Sequence, residues 1–200
     1  VTTGDTTGRE YAERLRRLQC AAWKRALGVQ LVYAFNVRRL NPGRTLDIGC
    51  GIGRNLRHLA PRAVGIDHNA HAVAMARSGG HEAFTPEEFR TSRFNASRRF
   101  DNFLLAHVAE HMTLPQAVAL LNGYLDLLRP GGRVTIITPQ ERGFRADATH
   151  VEFMDFAALR RIVEACGLVV VKEYSFPFPL RFGRWFTHNE YVSVSLKPDR

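Results

Sequence analysis

The chain has 200 residues with an ordinary hydrophobic share of 45%, which fits one domain with a sizeable core. Its formal net charge of +9 permits nucleic acid, acidic lipid or anionic substrates as partners, but the arginines fall in scattered pairs such as Arg16-Arg17 and Arg98-Arg99 and form no basic stripe. Cys20, Cys50 and Cys166 are too widely spaced for a disulfide framework or paired metal ligands, no apolar run approaches a membrane span, and no targeting pattern is evident, so a reduced, cytoplasmic protein is expected.

In chain order, Val1 to Gly8 is small and polar and reads as a mobile leader. Tyr11, Leu15, Leu18, Ala22, Trp23, Ala26 and Leu27 then recur at three- and four-residue steps, which predicts an amphipathic helix. Residues 1–40 are therefore a leader and helical cap, and Asn41-Pro42-Gly43 turns the chain into the remainder, 41–200, of a single-domain protein. Strands are expected near Thr45 to Gly49, Ala63 to Asp67, Asp101 to Ala106 and Arg133 to Thr138. Helices are expected near Arg54 to Leu59, Ala70 to Arg77, Pro115 to Leu128 and Phe156 to Ala165. Such alternation predicts an α/β fold, a mostly parallel sheet with helices on both faces. Leu168 to Tyr174 and Glu190 to Leu196 are both strand-like and joined by a Phe-Pro-rich loop without helical period, which predicts an antiparallel C-terminal hairpin.

The first strand closes on Gly49-Cys50-Gly51-Ile52-Gly53 and opens a helix, and the second ends on Asp67. Glycines let a ligand press against bare backbone, and an acid at the second strand's tip can accept hydrogen bonds from a ribose. This builds a nucleoside cofactor site. The spacing Gly-x-Gly-x-Gly differs from the dinucleotide Gly-x-Gly-x-x-Gly. Together with Gly65-Ile66-Asp67, Phe100-Asp101 and Leu128-Arg129-Pro130-Gly131-Gly132-Arg133, the run from Asp47 to Gly53 closely resembles the class I S-adenosylmethionine-dependent methyltransferases.

That resemblance implies a Rossmann-like, seven-stranded methyltransferase fold and S-adenosylmethionine as cofactor. By it, Gly49, Gly51 and Gly53 admit the methionine part, Asp47 helps hold its ammonium end, Asp67 with the neighbouring His68 meets the ribose, and Ala106 and His107 lie against the cofactor. Thr85 or Glu87 stands where many relatives place an adenine contact. A looser likeness, carried by Thr138 to Phe144, the His150 region and the Phe176 to Phe186 loop, is to actinobacterial sugar O-methyltransferases of methylated polysaccharide biosynthesis.

A hydroxyl nucleophile needs a base or a Lewis acid. His150, in the loop after the fifth strand, is the candidate base, with Asp147 to orient it or to join a Mg2+ site. No oxygen ligand set is fixed, so Mg2+ stays an option and no metal ligand is assigned. His107-Val108-Ala109-Glu110-His111 matches the inverted zinc-protease pattern, but it directly follows a buried strand and shows no third ligand downstream, so His107 and Glu110 are kept as pocket residues. The segment Leu105-Ala106-His107-Val108 replaces the Asp/Asn-Pro-Pro-aromatic tetrad of base-methylating enzymes, which argues against nucleic acid as substrate. The expected function is methyl transfer to a hydroxyl of a saccharide or other small molecule by a monomer or homodimer. A nucleic-acid-associated methyltransferase or binding module is the alternative.

Overall fold

The computed structural model describes Gly8, Glu10, Glu13, residues 29–41 and residues 43–199. The expected leader and the amphipathic helix from Tyr11 to Leu27 lie outside the described residues, save those isolated positions. The described chain runs α1 (Val29–Leu40), β1 (Thr45–Ile48), α2 (Arg54–Leu59), β2 (Ala63–Ile66), α3 (Ala70–Ser78), β3 (Ala83–Phe84), α4 (Pro86–Arg90), β4 (Phe100–Ala106), α5 (Leu114–Asn122), β5 (Leu128–Pro139), α6 (Glu141–Arg145), α7 (Phe156–Ala165), β6 (Val169–Phe176) and β7 (Glu190–Leu196).

These strands form one seven-stranded sheet in the order β3-β2-β1-β4-β5-β7-β6. The first five are parallel, and β7 pairs antiparallel with both β5 and β6. The α/β sheet with its antiparallel hairpin is thus as expected. Strands β1 and β2 are buried along their whole length, as continuous apolar runs covered on two faces require. One core cluster joins Leu46, Phe103 and Ile136 to Leu159, Ile162 and Val163 of α7. A second joins Leu104, Ile137 and Val192 to Val37 of α1, Leu56 of α2 and Val73 of α3.

Four details differ from the expected elements. Helix α5 stops at Asn122, where Gly123 donates its N–H to the Ala119 and Leu121 carbonyls and a 3-10 turn follows at Leu125–Leu127, so the helix is shorter than Pro115 to Leu128. Strand β5 begins five residues early, at Leu128, and tolerates the glycine pair through Gly131 at φ +65° and the Gly131–Lys197 backbone bond. The third strand is only two residues long, too short for a periodic signal, and a capping box at Thr85 and Glu88 starts α4 directly after it. Helix α1 falls within the stretch 1–40 expected as leader and helical cap, but the expected helix ends near Leu27, because Leu31, Val32 and Phe35 stay exposed and blur the apolar stripe beyond it.

Parallel strands β1, β2, β4 and β5 end at one edge of the sheet, and antiparallel β7 begins there. The segments following those strand ends, with the start of β7, converge on this edge. Open α/β sheets bind ligands at that location.

Candidate active site

A cavity of about 600 Å³ opens over this edge, lined among others by Gly49, Gly51, Asp67, Ala106, His107 and His150. Gly49, Gly51 and Gly53 take φ values of +78°, +53° and +84°, the left-handed region in which a β-carbon is strained. A Cβ on Gly49 would also sit 2.3 Å from Val108 Cγ2. Glycine is therefore favoured at these positions by the backbone, and at Gly49 also because a side chain would displace Val108, which lines the cavity.

Asp67 lines the cavity with its carboxylate fixed in place: Gly51 N–H donates to Oδ2 at 2.7 Å and Asn69 N–H to Oδ1 at 2.8 Å. Helix α3 is capped by Asn69, whose side chain accepts from His71 and Ala72 N–H, so Asp67 is not spent as its cap. His68 sits beside it with Nδ1 3.7 Å from Asp67 Oδ1 and also faces the cavity. Asp47 is fully buried and lies outside the cavity wall, with no hydrogen bond to either carboxylate oxygen. Burial pushes its pKa up to about 7, the nearby Asp67 charge adds to that, and Arg54 and Asn55 oppose it. Thr85 caps α4 through the Glu88 N–H and, like Gly53, does not line the cavity, whereas neighbouring Pro86 does.

His107 stands at the end of β4 at φ +61°, a conformation costing about 1–2 kcal/mol in a non-glycine residue, held by its N–H bond to the Ile137 carbonyl. Its ring bridges two buried carboxylates, with Nε2 2.9 Å from Glu190 Oε1 and Nδ1 3.2 Å from Glu110 Oε1. Burial alone would lower its pKa, but the two carboxylates outweigh it and raise it to about 9. The two carboxylates thus favour the protonated form of His107. Glu190 escaped the sequence reading because only the register that pairs Pro139 with Glu190 places it here. A buried polar network supports that position: Gln140 donates to the Glu190 carbonyl and Ser175 Oγ, and Asn189 donates to Gln140 Oε1.

His150 also lines the cavity, with its ring stacked on Phe144 at 5.2 Å and edge-on to His111 at 4.9 Å. Its Nδ1 donates to the Phe144 carbonyl at 2.7 Å, which fixes the tautomer and leaves the lone pair on Nε2. Asp147 accepts from the Thr149 N–H and hydroxyl at 3.0 and 2.8 Å and so orders the loop that carries His150. From α1, Tyr33, Asn36 and Val37 close one side, with the Tyr33 hydroxyl donating to the His188 carbonyl and the Tyr174 hydroxyl to Asn36 Oδ1. A shallower cavity of about 320 Å³, lined by Arg142, Arg145 and Arg184, shares Ala146 and Thr187 with the larger one.

Strand order, glycine loop and the acid at the tip of β2 together define the Rossmann-like methyltransferase class. Residues 11–173 match the methyltransferase domain family, and the chain belongs to that family. No curated protein sequence matches it at a significant level. Among solved structures, magnesium protoporphyrin IX methyltransferase from Synechocystis PCC 6803 with bound SAH is similar at TM-score 0.69 and 15% identity, over 96% of this chain and 97% of that one. A SAM-dependent methyltransferase from Archaeoglobus fulgidus is similar at TM-score 0.60 and 17% identity, over 84% and 94% of the respective chains. The N-methyltransferase NodS from Bradyrhizobium japonicum gives TM-score 0.61 and 17% identity over 83% and 94%.

Proposed function

We propose that the protein is an S-adenosylmethionine-dependent O-methyltransferase that acts on a hydroxyl of a saccharide or another small molecule. The observation that carries the reading is the His150 Nε2 lone pair, held toward a cavity whose wall also contains the glycine loop and Asp67. The site suits this cofactor in three respects. Left-handed glycines offer a bare backbone cradle, Asp67 presents anchored acceptor oxygens for ribose hydroxyls, and Asp47, buried behind the cavity wall, adds negative charge to an ammonium group from a distance when it ionises. Bound there, the cofactor supplies a methyl group on a positively charged sulfur.

The chain's own residues do the rest. His150 would accept the acceptor's hydroxyl proton at Nε2, freeing the oxygen as nucleophile for the methyl group that the bound cofactor would supply. The Phe144 carbonyl holds the resulting imidazolium by accepting from Nδ1. His107, between Glu110 and Glu190, carries a cluster of two carboxylates and one cation, a net negative site that favours a positively charged donor.

Acceptor chemistry follows from the rim. Arg142, Arg145 and Arg184 line the adjoining cavity, and among the described residues none of them forms an ion pair. Phe182 and Trp185 of the Phe-Pro loop are exposed beside Arg184 in the chain. Aromatic faces suit sugar C–H surfaces, and guanidinium groups without a carboxylate partner suit an acceptor that carries a phosphate, sulfate or carboxylate.

His150→Ala is expected to bind S-adenosylhomocysteine within about twofold of the parent and to lose roughly 100-fold or more in turnover, measured by calorimetry and by methyl transfer to a panel of saccharides, sugar acids and phenols. Normal turnover in that variant would end the base assignment.

A further inference from the structure

We infer that Glu110, His111 and His150 form a binding site for a divalent d-block metal ion, zinc being the reference case, at the wall of the cavity. One potential ligand atom from each of the three residues lies within 4.8 Å of the others. Tetrahedral zinc with bonds of about 2.1 Å separates its ligands by about 3.4 Å, so the side chains need to close by about 1.4 Å or less.

Three observations preorganise the set. Glu110 is completely buried; its Oε1 pairs with His107 Nδ1 at 3.2 Å, and its Oε2 has no hydrogen-bond partner. One buried carboxylate oxygen is thus left over for a further ligand. His150 Nδ1 donates to the Phe144 carbonyl, and His111 Nδ1 lies 3.1 Å from the Thr149 carbonyl, so in each ring Nε2 holds the lone pair a metal would use. The two segments are also joined by backbone, since the Glu110 carbonyl accepts from Val151 N–H at 2.7 Å, which ties the loop of His150 to the turn that carries Glu110 and His111.

Two imidazoles and one carboxylate suit zinc and its neighbours in the d block, and they do not suit magnesium, which prefers oxygen ligands. Asp147, the candidate magnesium ligand in the sequence reading, is not one of the three. A site with three protein ligands keeps a fourth position open, and here His111, His150 and the adjoining Met112 and Ala146 line the cavity. That position faces the acceptor.

This inference rests on the O-methyltransferase reading for its catalytic part. With metal bound, the acceptor hydroxyl coordinates the open position and releases its proton to solvent, and His150 acts as a ligand in place of accepting that proton itself. The oxygen then forms its bond to the methyl carbon as the carbon–sulfur bond breaks.

The test uses the full chain, purified without chelators and with any affinity tag removed. Stoichiometric zinc by elemental analysis is expected, together with a visible d–d spectrum of tetrahedral form when Co2+ is titrated into the stripped protein. Glu110→Gln and His111→Asn should each weaken Zn2+ affinity by at least about 10–100-fold. His111→Asn guards against misfolding of the buried Glu110 variant, and it should also lose turnover, which a base-only role for His150 does not require. Absence of zinc together with a featureless Co2+ titration overturns the site, as does unchanged zinc affinity in both variants. S-adenosylhomocysteine binding measured on the stripped protein reports separately on the methyltransferase reading: binding without metal uptake sinks only the metal site, and metal uptake without cofactor binding sinks only the catalytic reading.

Discussion

Asp47 and His107 show how burial decides charge in this site. A lone buried carboxyl is pushed up to about 7, whereas a buried imidazole between two carboxylates is pushed up to about 9. For Asp47 the folded value exceeds the unfolded one of 3.8, so its contribution to stability is full below the unfolded pKa and is lost as pH rises through about 7. The free protein should therefore lose stability, by an amount traceable to this residue, as pH rises from about 4 to 7, and Asp47→Asn should remove that slope. An ammonium group bound nearby favours the ionised carboxylate. S-adenosylhomocysteine affinity should accordingly rise with pH below about 7 and level off above it, with proton release seen by calorimetry in buffers of different ionisation enthalpy. A flat profile in the parent protein, or an unchanged one in Asp47→Asn, would contradict this role. At this scale the sequence was most informative where residues are tied to short motifs. Asp67, Ala106, His107 and His150 could be named because they sit at fixed offsets from strand ends, and the structure brings them to one cavity. Glu190 and the pairing of His111 with His150 depend on strand register and loop folding across roughly 40–80 residues, which local pattern does not encode.

Among the elements, the glycine loop and the strand tips carry the site, and two glycines separate strain from contact. Gly49 and Gly80 have similar left-handed φ values of +78° and +80°, but a Cβ on Gly49 would lie 2.3 Å from Val108 Cγ2 and one on Gly80 meets nothing within 4 Å. Gly80→Ala is expected to cost only the backbone strain, about 1–2 kcal/mol in urea unfolding, with cofactor affinity unchanged. Gly49→Ala should add the displacement of Val108, next to His107, and weaken S-adenosylhomocysteine binding at least about tenfold. Equal cofactor affinities in the two variants would show that the loop does not touch the ligand. The alternation of strands and helices from Thr45 onward was legible because buried parallel strands read as apolar runs closed by Gly, Asp or Pro. Short elements were not. Strand β3 has two residues, and α4 and α6 have five each, lengths at which periodicity has no meaning and only caps such as Thr85 and Glu88 mark a start.

For the whole molecule, the parallel half of the sheet carries the glycine loop and Asp67, and the antiparallel hairpin closes the other side of the cavity with Asn189 and Glu190. The net charge of +9 acquires a local meaning only in the fold, where Arg142, Arg145 and Arg184 meet beside the cavity from segments about 40 residues apart. Arg184→Glu should raise KM for an acidic acceptor several-fold, with the loss shrinking as salt increases and S-adenosylhomocysteine affinity kept, since steering by exposed charge is screened. An unchanged KM would remove these arginines from the acceptor site. Among the described residues no helix is long and apolar enough to cross a membrane. The central claim is that this family member binds S-adenosylmethionine in the cavity over the glycine loop. Calorimetric titration of the folded protein with S-adenosylmethionine and S-adenosylhomocysteine, alongside Asp67→Ala, tests it most directly: one-to-one binding that the substitution abolishes is the predicted result, and no heat from either ligand with a folded sample would contradict it.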